Sequence, residues 1–87
     1  MKDNRVSRDS MEEAYSFFHQ KWNVFRGSAD ERQRDDIEYA VGAYASGMDG
    51  GVYARLSGGR DGFLMEHASF AADLQEAVAL LEEMMNQ

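Results

Sequence analysis

The sequence predicts a small single α+β domain in the order helix, helix, β-hairpin, helix. Two apolar stripes at helical spacing fill its first half and a third fills its end. Between them, six of the eight glycines fall in the stretch from Gly47 to Gly62. Glycine is costly inside a helix and cheap where φ must be positive, so the cluster marks a non-helical insert. An all-α bundle of three or four helices is the alternative, should the insert fold as helical turns.

Residues 1–9 read as a flexible polar arm and residues 10–87 as one domain. Ser10-Met-Glu-Glu13 matches a capping box, in which the serine hydroxyl and the glutamate carboxylate satisfy each other's backbone amides. Met11, Ala14, Phe18, Trp22 and Phe25 follow at helical spacing and predict a helix from about Met11 to Val24 with one apolar face. Tyr15 widens the stripe, and Phe17 lies off its centre. Gly27 suits a left-handed cap. A second capping box, Ser28-Ala-Asp-Glu31, opens the next helix, whose stripe is Ile37, Val41, Tyr44 and Met48. So short a connection predicts an antiparallel αα-hairpin.

In the glycine-punctuated middle, Val52–Leu56 and Phe63–His67 read as strands, joined by the loop Gly58-Gly59-Arg60-Asp61. That register sets Leu56 against Phe63, Ala54 against Met65 and Val52 against His67, giving one mostly apolar face. The rival assignment makes Val52–Ser57 a short helical turn, because short apolar runs between glycines fit both periods. Ser69 then caps a final helix. Its stripe is Phe70, Leu74, Ala77, Val78, Leu81, Met84 and Met85, and no glycine follows Gly62.

Composition narrows the class of protein. With 44% hydrophobic residues in an 87-residue chain, a globular fold is within reach but its core is modest. There is no cysteine, no apolar core of a signal peptide in Met1–Arg8, and no apolar run of the ~20 residues that cross a bilayer. A cytoplasmic location is expected. The net charge of −7 opposes direct binding to nucleic acid or to anionic membrane surfaces. No Lys or Arg follows Arg60, so the last third of the chain is purely acidic.

Motifs for chemistry are missing. A phosphate-binding loop needs Lys and Ser/Thr after its last glycine, but Phe63 follows Gly62. His19 and His67 stand outside any helical ligand spacing, so neither metal nor cofactor is expected. Ser57 is not on a nucleophile elbow. Glu12/Glu13, Asp35/Asp36 and Glu82/Glu83 are sequential pairs, which splay on a helix and cannot share a proton. Arg26, Arg32 and Arg34 are interleaved with carboxylates and read as an intrahelix ion-pair lattice.

These features predict a noncatalytic accessory or regulatory protein that acts through protein–protein contact as a homodimer, or with another protein. Phe17, Trp22, Met84 and Met85 are the apolar candidates for that surface, because the chain looks too short to hide all its large apolar residues. Arg55 and Arg60, placed on the hairpin, are the candidates for gripping an acidic group. One alternative is an acidic decoy that occupies a nucleic-acid-binding groove, its carboxylates spaced like phosphates. Another is a small ligand-binding domain or enzyme that uses the glycine-rich hairpin.

Overall fold

A computed structural model describes residues 8–86 and places four helices there, with no strand among the described residues. They are α1 (Arg8–Gly27), α2 (Glu31–Gly47), α3 (Gly50–Ser57) and α4 (Phe70–Met85). The α+β class with its hairpin is thus corrected to the all-α alternative. The N-terminal arm lies outside the described residues except for Arg8 and Asp9, which belong to α1.

The first helix starts before its capping box. Arg8 extends it by pairing with Glu12 one turn on, at 3.0 Å, and by donating to the carbonyl of Met85 at 3.1 Å. That second bond satisfies one of the carbonyls orphaned at the end of α4. Met11, Ala14, Phe18 and Phe25 are buried as the stripe requires, while Trp22 is half-buried. Gly27 ends the helix without a positive φ. The cap of α2 is Asp30, not Ser28. Its carboxylate accepts from the Arg32 amide at 3.0 Å, and the Ser28 hydroxyl accepts from the Asp30 amide at 3.1 Å.

The α1–α2 corner is held by Arg34. Its guanidinium donates to the carbonyls of Phe25 (2.9 Å) and Ser28 (3.1 Å) and lies 4.0 Å over the Phe25 ring. The antiparallel pairing expected from the short connection is present. Phe17 stacks on Tyr44 with centroids 4.2 Å apart, near the far end of α2.

The segment expected as the first strand is α3. Asp49 caps it by accepting from Gly51 (2.8 Å) and Val52 (3.2 Å). Gly58 closes it at φ +64°, with its amide on the Ala54 carbonyl at 3.1 Å. Gly50 and Gly51 occupy the first turn, where the Asp49 carboxylate offsets part of their entropic cost. Val52 and Leu56, four residues apart, bury together against α4. The segment expected as the second strand runs through turns instead, with Phe63 and Leu64 buried.

α4 packs chiefly along α1 and antiparallel to it, with Phe25 against Phe70 at one end and Arg8 against Met85 at the other. Its inner face buries Phe70, Leu74, Ala77, Val78 and Leu81, as its periodicity predicts. No described helix is long and apolar enough to cross a membrane.

Candidate functional site

The six residues expected to form a contact surface are dispersed. Phe17 is half-buried against Phe18 and Tyr44. Trp22 leans on Phe25 near the C-terminal end of α1, with centroids 6.4 Å apart. Met84 and Met85 pack partly into the core at the opposite end of the α1–α4 pair, on the order of 20 Å away along the helices. Arg55 is exposed on α3.

Arg60 belongs to an internal network. Its guanidinium pairs with Asp73 of α4, a carboxylate only 2% exposed. The other Asp73 oxygen accepts from the Leu64 amide (3.0 Å) and the Ser69 hydroxyl (3.1 Å). Burial alone would raise the Asp73 pKa. The hydrogen bonds from Arg60, Leu64 and Ser69 outweigh it and hold the carboxyl below its usual range. Leu64 sits at φ +66°, a costly conformation for a branched residue, and its amide bond to Asp73 helps to hold it there. Asp73 reads from sequence as one more carboxylate on an acidic helix, and Ser69 as a cap. A side chain that reaches nine residues back to a loop leaves no local signal.

Two surface features were not anticipated. The first is a shallow groove of about 370 Å³ between α2 and the α3–α4 connection. Gly42, Ala43, Ser46, Leu64 and Phe70 line it, and Tyr39 and Met65 rim it. Tyr39 is 80% exposed and Met65 46%, two of the three large apolar residues that stand out in solvent among the described residues. The Met65 side chain lies over Gly42, where an added Cβ would meet its sulfur at an ordinary contact distance of 3.7 Å. Tyr39, Gly42, Ala43 and Ser46 recur at i, i+3, i+4 and i+7, so they form one face of α2. The third exposed apolar residue, Val24, lines a separate cleft with Lys21, Asp36 and Ile37.

The second is a polar cleft of about 560 Å³ lined by Phe25, Glu31, Arg34, Asp35, Glu38, His67, Ala68 and Ala71. His67 Nδ1 lies 3.0 and 2.9 Å from the two carboxylate oxygens of Glu38. The Glu38 hydrogen bond and charge, with Asp35 behind them, raise the His67 pKa against slight desolvation and the Arg34 charge. Glu38 lines both the polar cleft and the apolar groove, so it forms the wall between them. Among the described residues, no group of three or more His, Asp or Glu is arranged to hold a metal ion.

No protein-family model matches this chain, and no curated protein and no solved structure does so either.

Proposed function

We propose that this protein is a noncatalytic cytoplasmic accessory protein that works by protein–protein contact, pairing with a second copy of itself through the outer face of α2. The observation that carries this is the exposure of Tyr39 and Met65 on either side of a groove floored by glycine, alanine and serine. Exposed aromatic and methionine side chains are the types enriched at contact surfaces. A twofold contact uses the same patch on both copies and needs no second binding surface. The patch is apolar at its centre, so salt should leave the association intact or strengthen it.

Tyr39→Ala tests the assignment. Its side chain is largely in solvent in the single chain, so the variant should still fold, its melting temperature falling only by the concentration-dependent share that dimerisation adds to the parent. Light scattering coupled to size exclusion should give the mass of two chains for the parent at micromolar concentration and of one chain for the variant. A parent that remains a single chain at several hundred micromolar, in both low and high salt, would overturn the proposal.

A further inference from the structure

We propose that the Glu38–His67 contact is a pH-sensitive latch that clasps the Met65–Ala68 segment to α2 and thereby regulates the Tyr39–Met65 surface. The latch stands on geometry, whereas its effect on association rests on the contact function proposed above.

Beyond the Met65 side chain resting on Gly42, the segment has few other anchors. Leu64 on one side is buried and bonded to Asp73, and Phe70 on the other is buried against Phe25. Between them Met65, Glu66, His67 and Ala68 are all exposed. Their backbone bonds are local, Met65 to Gly62 and Phe70 to His67. Among the described residues, the side-chain hydrogen bond that reaches from this segment to another helix is His67 to Glu38. It holds the strap beside the point where Met65 covers Gly42.

Titration of the imidazole changes what Glu38 does. Protonated, His67 neutralises a carboxylate whose side chain is only 20% exposed. Deprotonated, it can donate one neutral N–H at most, and Glu38 becomes an uncompensated charge on the wall of the apolar groove. An unpaired charge beside a surface that must be desolvated disfavours docking. The charged groups facing His67 are Glu38, Asp35, Glu31 and Arg34, all from α2. α1 and α4 contribute only Phe25 and Ala71 to the cleft. The balance is acidic, which favours the imidazolium. Because the folded pKa is raised, the clasp is fully present below the unfolded value of 6.5 and is lost as pH rises through the folded one.

The test combines proton NMR of His67 with amide exchange of Glu66, His67 and Ala68 from pH 6 to pH 8, corrected for intrinsic exchange. In the parent, the opening constant of the segment should rise across the His67 titration. Its fold-change should approach ten raised to the pKa difference between the parent and Glu38→Gln. Glu38→Gln should show no such rise, and His67→Arg should stay closed throughout. Opening that is flat with pH in the parent, or that rises equally in Glu38→Gln, would sink the latch. Light scattering over the same range reads the contact separately. A parent that stays one chain at every pH, with the exchange pattern intact, removes the regulation and the contact function but leaves the latch. A dimer indifferent to pH removes the regulation alone.

Discussion

Asp73 shows how one side chain organises a stretch of chain that has no regular structure. It is buried, and its bonds tie together the buried Leu64 amide, the Ser69 hydroxyl and the half-exposed Arg60 guanidinium. Asp73→Ala should therefore lower stability by about 1–3 kcal/mol, mainly by orphaning the buried Leu64 amide. Asp73→Asn keeps an acceptor for that amide and should cost less. Urea unfolding of the two variants makes the comparison. The pH dependence has a definite sign. The folded pKa of Asp73 lies below its ordinary 3.8, so its stabilisation is present above that value and disappears as pH falls through the lower, folded one. Parent stability should drop through that acid range more steeply than that of Asp73→Asn.

At the scale of elements, caps outweigh composition. α3 contains two glycines in eight residues and would not persist as an isolated peptide. It forms because Asp49 supplies acceptors at its start, Gly58 turns the chain at its end, and Val52 and Leu56 bury on α4. Asp49→Ala should cost about 0.5–2 kcal/mol through loss of the cap. Gly58→Ala should cost about 1–2 kcal/mol because its φ of +64° places a Cβ in the left-handed region. Thermal melts followed by circular dichroism would measure both. If Asp49→Ala melts with the parent, the cap is not what selects helix here. The confusion with a strand has a simple origin. Residues 52 and 56 share a face at a period of 2 and at a period of 3.6, and five or six residues are too few to separate the two.

The whole molecule is an antiparallel α1–α4 pair with α2 against α1 and α3 against α4. Leu81 is fully buried on the inner face of α4, whereas Glu82 beside it is exposed. Leu81→Ala should lose about 2–5 kcal/mol, and Leu81→Asp should lose more because it also buries an unpaired carboxylate. Glu82→Ala should be nearly silent. Melting curves for the three decide whether this face of α4 is the core. Packing at this scale also disposes of the large apolar residues. Four of the five phenylalanines are buried, and Trp22, Met84 and Met85 are partly so. Among the described residues, the large apolar side chains left outside are Tyr39 and Met65, together with Val24.

By itself the sequence determined three helices, most of their inner faces and the antiparallel corner between the first two. On α2 the stripe holds at Ile37 and Val41, while Ala45 is buried and the expected Tyr44 and Met48 are only half-buried. Met11, Phe18, Ile37, Val41, Leu74 and Leu81 are buried because periodicity over fifteen or more residues is a repeated signal that turns and caps cannot imitate. It also contained Asp49 and Gly58, the punctuation of α3, but not the packing that makes so short a helix worthwhile. Only the tertiary structure decided the rest. It paired Asp73 with Arg60 and Leu64, brought Glu38 to His67 across 29 positions, and left Tyr39 and Met65 exposed at one groove. The physical reason is the same each time. A helical stripe is local, so each turn repeats the evidence for it, whereas a contact between a loop and a distant helix has one instance and no period.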